Sequence, residues 1–189
     1  SFFAGLRRSQ FPTAIWSDRQ RFQLESNLIN KVFNKIPYKL LYKTYPLHGN
    51  LTESIIKKQI SAYKNISLIK NNYDANYFFY SKRILITYGA SSQIGWSLFS
   101  NLPLIFINTP DKPLVNSFKT KMKKSIFLIE YNNKNFFEDL KVFLSQPLEI
   151  IYKQWKNKEK NRNMLLKDLS IENNTIAGKV AAKHILNIH

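Results

Sequence analysis

The stretch ILITYGASSQIGWSLFSNLPLIFI, residues 84–107, decides the fold of this chain. It opens with Ile84-Leu85-Ile86-Thr87, an apolar β-branched run of the length and type expected of a buried parallel strand. A turn follows at Tyr88-Gly89-Ala90, where the glycine permits a tight reversal of the backbone. The pattern therefore predicts a central strand whose end leads directly into a turn.

A helix and a second buried strand follow this turn. The helix is predicted from Gln93 to Asn101, with its apolar residues mostly on one face, and Pro103 follows its end. Leu104-Ile105-Phe106-Ile107 then has the composition of the next buried strand. Together they predict a strand–turn–helix–strand unit with a right-handed parallel crossover.

The turn between the first strand and the helix has the chemistry of an anion site. Ser91 and Ser92 lie where helix-capping hydroxyls are common, and the free N–H groups of a helix start favour negative charge. Ligands of open α/β sheets bind at this carboxyl edge. The alternative is an ordinary capped turn, because the spacing matches neither a nucleotide-triphosphatase phosphate loop nor a GxGxxG dinucleotide motif.

Composition and charge restrict the class of protein. The chain has 189 residues, 44% of them hydrophobic, which is enough to form a substantial core. It has no cysteine, which excludes a disulfide scaffold and Cys-based metal or nucleophile chemistry. The formal net charge of +17 indicates an anionic partner. Since lysines are dispersed and arginines few, nucleic acid is the less favoured one.

Sequence features also bear on location and completeness. No secretory leader and no apolar run of about 18 residues is found, and we expect a cytoplasmic protein that can lie at the inner face of the plasma membrane. The first residue is Ser1, not methionine, so we expect a piece of a longer chain.

The chain divides into three predicted parts. Residues 1–37 are predicted as a linker and a first helix, with residues 1–17 as loop and Ser17 or Asp18 capping a helix to about Asn34. Residues 38–147 are predicted as a Rossmann-like, doubly wound parallel α/β domain that binds a nucleotide donor. Residues 148–189 are predicted as C-terminal helices that pack toward a missing N-terminal domain.

Alternation of short strands and helices supports the middle part. Further strands are predicted at 38–43, 66–69 and 125–129, and further helices at 51–62, 74–80, 114–124 and 136–144. In the last part we predict one long helix over 148–166, too polar for a core helix, and a short one over 178–188.

Several motifs resemble one family. The order KTYP, KNISLI, ILITYGASSQIGW, NLPLIFI and a late GKVAAKHIL is similar to the carboxyl half of two-domain GT-B transferases that build bacterial surface carbohydrates. The nearest groups are the transferases of lipopolysaccharide biosynthesis and the glycerophosphotransferases of teichoic acid assembly. The resemblance covers most of the chain through loose motifs. The matching positions are Lys43 and Pro46, Thr87 with Ser91 and Ser92, and Asn101 with Pro103.

Two departures separate the chain from the glycerophosphotransferases. Tyr45 stands where that group has a histidine, and Tyr88-Gly89-Ala90 replaces its Asp-Tyr pair with one extra residue. Roles of those His and Asp side chains do not transfer, which favours a sugar transferase.

The resemblance implies a donor-binding half whose substrate is a nucleotide-activated sugar. It places the donor's phosphates on the N–H groups of Ser91, Ser92 and Gln93 beyond Gly89, with Lys43 neutralising a phosphate. Fixed dipoles and a cation stabilise the leaving nucleotide, so neither a metal nor a cofactor is expected. The acceptor would be a cell-surface glycan or a lipid-linked molecule. The catalytic base would lie outside this chain, which would be inactive alone.

The resemblance also implies contacts to the nucleoside. Lys70 and Asn71, in the loop after a strand, would read the base, and Glu130 would take a ribose hydroxyl. The plainer alternatives are a solvated strand end for Lys43 and an ordinary exposed acid for Glu130. His48, His184 and His189 show no metal-ligand spacing.

Three other functions remain open. The chain could belong to a glycerophosphotransferase of the teichoic acid type, or be a non-enzymatic basic domain that binds nucleic acid. It could also belong to a non-hydrolysing nucleotide-sugar epimerase, which shares the two-domain architecture.

Overall fold

A computed structural model of the chain describes residues 2–5, 16–43, 51–69, 82–89, 93–131 and 134–169. Within these ranges the protein is a six-stranded parallel sheet with helices on both faces. The strands are β1 (Phe2–Gly5), β2 (Leu40–Lys43), β3 (Ile66–Leu68), β4 (Ile84–Tyr88), β5 (Leu104–Asn108) and β6 (Phe127–Glu130). Their order across the sheet is β3-β2-β1-β4-β5-β6. The predicted Rossmann-like doubly wound sheet is confirmed, since its order reverses at β1.

The first strand corrects the sequence analysis. Residues 1–17 were expected to be loop, yet Phe2–Gly5 pairs in parallel with β2 on one side and with β4 on the other. A four-residue strand next to the chain start has too few positions to show a period, and its partners lie about 40 and 80 positions away. The sheet therefore begins at Phe2 rather than at residue 38.

The unit at residues 84–107 folds as predicted. All residues of β4 and of β5 are buried, as expected of strands covered on both faces. The helix between them, α3 (Gln93–Phe99), turns Ile94 and Leu98 inward. Trp96 and Phe99 are about half exposed, so only part of the apolar set predicted for one face of this helix is turned inward.

Ser17 starts the first helix, α1 (Asp18–Lys31), as predicted. Its hydroxyl accepts a hydrogen bond from the Gln20 amide, and the Gln20 side chain accepts one from the Ser17 amide. This reciprocal capping box satisfies two N–H groups that would otherwise lack partners. A short 3₁₀ turn at Phe33–Lys35 continues α1 toward β2.

The remaining helices complete the two outer layers. They are α2 (Leu51–Ser61), α4 (Asn116–Ser125), α5 (Phe136–Leu144), α6 (Leu148–Asn157) and α7 (Glu159–Asp168). Helix α1 packs on α2 and α5, while α4 packs on α7. The chain winds in opposite directions on the two sides of β1, so right-handed crossovers place helices on both faces.

The predicted long helix over 148–166 is two helices that meet at Lys158. Within α6, Tyr152 donates a hydrogen bond to the Arg83 carbonyl, and Trp155 donates one to the Asn101 carbonyl. These carbonyls precede β4 and β5, so α6 crosses the amino edge of the sheet.

One side of this helix pair belongs to the core of the domain. Ile151, Trp155 and Leu165 are buried, whereas Ile150 and Met164 are about half exposed. The interpretation that the whole stretch lies outside the core is therefore wrong for its inner side. Its packing on a further domain stays a prediction.

None of the helices in the described ranges is long and apolar enough to span a bilayer. The predicted helices over 74–80 and 178–188 lie outside the described residues.

Candidate anion site at the carboxyl edge of the sheet

The reversal of strand order brings three strand ends together. In the register of the sheet, Gly5 of β1 lies beside Lys43 of β2 and beside Thr87 of β4. Neighbouring strands are about 4.8 Å apart, so the backbones of Lys43 and Thr87 are separated by about 10 Å. A ligand at the end of β1 would therefore contact both neighbours, which is the position that open α/β sheets use for binding.

Lys43 is not the solvated strand end of the alternative interpretation. Only 8% of its surface is exposed at the last position of β2. Placing an ammonium inside a protein is costly unless neighbouring groups compensate its charge. Lys43 is therefore packed into the carboxyl edge of the sheet and does not extend into solvent.

Gly89 makes the turn after β4 as predicted. Its φ of +69° lies in the left-handed region, which glycine adopts without steric cost. Its amide N–H donates to the Ile107 carbonyl of β5, at 3.4 Å. Ser91 and Ser92 lie outside the described residues, and Gln93 is the first residue of α3. The binding of phosphate by these three residues stays a prediction.

A buried ion pair joins α1 to the loop after β5. The Nε and an Nη of Arg21 donate to the two oxygens of Asp111 at 3.0 and 3.1 Å, and both residues are at least 93% buried. The Trp16 amide donates a third hydrogen bond to this carboxylate, at 3.0 Å. Burial alone would raise the pKa of Asp111, but these hydrogen bonds and the charges of Arg21 and Lys112 outweigh it and lower the pKa. Asp111 is therefore an ionised structural anchor.

Two tyrosines share a carboxylate on the inner side of α1. Tyr42 of β2 donates a hydrogen bond to Glu25 at 3.2 Å, and Tyr88 of β4 lies 3.5 Å from the other oxygen. Burial, followed by the negative charge of Glu25, raises the pKa of Tyr88 well above its usual value. Tyr88 is therefore neutral at physiological pH and acts as a hydrogen-bond donor.

Glu130 lies at the end of β6, and its side chain is partly exposed and held by two neighbouring side chains. One oxygen lies 2.9 Å from the Lys119 ammonium, and the other accepts a hydrogen bond from Asn108 at the same distance. The Asn108 side chain also accepts a hydrogen bond from the Leu114 amide, and this bond joins the two ends of the loop after β5. A ribose hydroxyl would have to compete with these contacts; its binding to Glu130 stays a prediction.

No role was predicted for Arg21, Asp111 or Lys112. An acid shortly after a buried strand, as Asp111 is after β5, is a signal for a residue at the carboxyl edge. The pairing with Arg21 spans 90 positions, and no local pattern reports such a contact. The predicted base-reading residues, Lys70 and Asn71, lie outside the described residues, as do all three histidines.

Charged side chains of both signs lie along this edge. Among the side chains just described, Arg21, Lys43, Lys112 and Lys119 are cationic, whereas Glu25, Asp111 and Glu130 are anionic. Within the described part of the chain, no group of three or more His, Cys, Asp or Glu residues could hold a metal ion.

Comparisons with known proteins establish the fold. No family model and no curated protein matches the chain. Among solved structures, one described as the co-structure of S. aureus MnaA with UDP matches 92% of the chain, at 14% identity and a TM-score of 0.56. The chain spans 47% of that protein. This likeness supports the doubly wound α/β fold of the present chain.

A second solved structure is described as the glycotransferase of kitacinnamycin. It matches 88% of the chain at 12% identity, with a TM-score of 0.41, and the chain spans 43% of it.

Proposed function

We propose that this chain is the donor-binding half of a GT-B glycosyltransferase, and that it holds the nucleotide of an activated sugar at the carboxyl ends of β1 and β4. The observation that carries the proposal is the strand register, which aligns Lys43, Gly5 and Thr87 at the reversal of the sheet. Gly89 follows β4 on the same side of the sheet, and its left-handed backbone carries no side chain that would fill the space there. Nucleotide phosphates suit such a place because it combines close backbone approach with positive charge.

The UDP in the described structure of S. aureus MnaA makes UDP the first nucleotide to test. In the proposed reaction, the cationic edge and the backbone dipoles stabilise the charge that develops on the departing nucleotide. The acceptor, a surface glycan or a lipid-linked molecule, and the catalytic base belong to a second domain.

Ligand-induced stabilisation of the 189-residue chain tests the proposal. A nucleoside diphosphate at a hundred times its Kd should raise the Tm by about 5–10 °C, because it binds only the folded state. UDP, ADP, GDP, CDP and their sugar conjugates identify the base. If none of them stabilises the chain while single-stranded RNA binds with a steep salt dependence, the chain is a nucleic-acid-binding domain instead.

The reaction products of the longer protein distinguish a transferase from an epimerase. A transferase releases the free nucleotide and gives a new glycosidic bond on the acceptor. An epimerase returns a nucleotide sugar of altered configuration without any acceptor. If only the altered nucleotide sugar is detected, the protein is an epimerase rather than a transferase, and the proposed donor site stands.

An anionic membrane surface is proposed as a further partner of the same protein. The support is α4, which has no acidic residue and carries Lys123 and Lys124 besides Lys119 and Lys121, the two that pair with Glu130 and Asp168. Sedimentation with vesicles containing 30% phosphatidylserine, in the range of about 50 to 300 mM salt, should show binding that falls as salt rises. Equal binding to neutral vesicles would contradict an electrostatic contact.

A further inference from the structure

Lys112 lies across the end of β4. A Cβ built on Gly89 would be 3.8 Å from both Cβ and Cδ of Lys112, so the aliphatic part of this lysine covers the turn. No hydrogen bond or ion pair within the described residues fixes its ammonium group. The aliphatic part of the Lys112 side chain is thus packed at the edge of the sheet, whereas its charged ammonium group lies beyond this contact.

The loop that carries Lys112 is fixed at several points. Asp111, its immediate neighbour, accepts three hydrogen bonds from Arg21 and Trp16. Two positions further on, the Leu114 amide donates to Asn108 at the end of β5. Neither anchor uses Lys112 itself, so the backbone presents this lysine without constraining its charged end.

The neighbouring carboxylate does not neutralise Lys112 by direct contact. Both oxygens of Asp111 accept hydrogen bonds from the Arg21 guanidinium, and one also accepts from the Trp16 amide. The positive charge of Lys112 therefore remains at the carboxyl edge, near Gly89 and on the β5 side of the strand reversal. Lys43 lies on the opposite, β2 side of the same reversal.

We propose that Lys112 binds the diphosphate of the nucleotide donor from the β5 side, with Arg21 and Asp111 as the residues that position its loop. The inference rests on the proposed function and deepens it. The inference adds Lys112, from the loop after β5, to the phosphate site proposed beside Gly89. It also specifies a diphosphate as the ligand, because a diphosphate can present negative charge to Lys43 on the β2 side and to Lys112 on the β5 side.

Calorimetric titration of the 189-residue chain with uridine, UMP and UDP tests this role. Lys112→Met keeps the aliphatic stem over Gly89 and removes the charge, whose effect on Asp111 is small, so its Tm should stay close to that of the wild type. Its Kd for UDP should rise about tenfold or more, the usual effect of losing one hydrogen bond to a charged group. Its Kd for uridine should not change, and Lys112→Arg should recover most of the UDP affinity.

Lys39→Met is the matched control, because Lys39 is exposed and precedes β2 at the opposite edge of the sheet. Its affinity for UDP should equal that of the wild type. If wild-type protein binds UDP and Lys112→Met binds it equally well, the role of Lys112 is wrong while the proposed function stands. An equal loss of affinity for uridine and UDP would also contradict a phosphate contact. Failure of the wild type to bind any of the nucleoside diphosphates would overturn the proposed function itself.

Discussion

Arg21 and Asp111 lie 90 positions apart in the chain and form a two-point ion pair inside the protein, with N–O distances of 3.0 and 3.1 Å. The pair connects the first turn of α1 to the loop after β5. It thereby fixes the wall of the carboxyl edge on the side of Gly89 and Lys112. The candidate site thus depends on a contact that only the folded chain can make.

Breaking this pair should destabilise the domain strongly. Asp111→Asn removes the carboxylate charge that faces the buried Arg21 guanidinium, and the loss of one partner of a buried ion pair costs about 3–5 kcal/mol of unfolding free energy. Urea denaturation followed by circular dichroism measures the change. The control is Asp168→Asn, which removes a pair with Lys121 whose side chains are about half exposed. That change should cost less than about 1 kcal/mol; equal costs for both variants would contradict a buried role for Asp111.

The same carboxylate should make stability depend on acid pH. The folded-state pKa of Asp111 lies below its ordinary value, so the unfolded chain binds the proton more readily. Its contribution is present above the ordinary pKa of about 3.9 and is lost as pH falls through the folded value. Urea midpoints between about pH 7 and pH 2.5 should therefore fall less steeply in Asp111→Asn than in the wild type. Parallel profiles would show that Asp111 does not ionise in the folded protein as described.

Gly89 should tolerate substitution poorly because of its backbone. Its φ of +69° costs an L-residue about 1–2 kcal/mol, although a Cβ there would meet only ordinary contacts. We expect Gly89→Ala to lose that amount and Gly89→Asn to lose less. Gly95, inside α3, has open space around its missing Cβ, so Gly95→Ala should gain about 0.5–1 kcal/mol. If Gly89→Ala left the free energy of unfolding unchanged and Gly95→Ala lowered it, the roles assigned to both glycines would be wrong.

Trp155 should stabilise the domain and Trp96 should not. Trp155 donates to the Asn101 carbonyl, and Arg162 stacks 3.8 Å from the centroid of its ring. Trp155→Phe should therefore cost about 1–3 kcal/mol. Trp96 is 56% exposed, and Trp96→Phe should change stability by less than about 0.5 kcal/mol. If Trp155→Phe were neutral, the packing of α6 on the amino edge would be wrong.

The features that depend on neighbouring residues alone were predicted from the sequence. The apolar runs at β4 and β5, the Ser17 cap and the reversal at Gly89 all followed from neighbouring residues, and the structure has each of them. The strand at Phe2–Gly5 escaped because four residues carry no period, and its place at the centre of the sheet comes from distant partners.

The candidate site was predictable only in part, for the same reason. Lys43 and Gly89 were predicted at strand ends, and the strand bounds and parallel pairing place both at the carboxyl edge. The burial of Lys43 and the pairing of Arg21 with Asp111 depend on tertiary contacts between separate segments. No local pattern marks the break at Lys158 in the helix predicted over 148–166, because lysine is compatible with a continuous helix.

Nuclear magnetic resonance of the ¹⁵N-labelled chain during titration with UDP tests the location of the nucleotide most directly. The chain has three tryptophans, and Trp16 lies beside Asp111 at the carboxyl edge while Trp155 lies at the amino edge. We predict that saturating UDP shifts the amide signals of Gly5 and Gly89 and those around Trp16, and leaves the indole signal of Trp155 in place. Shifts confined to Trp155 and the start of the strands would place the nucleotide at the other edge and contradict the account.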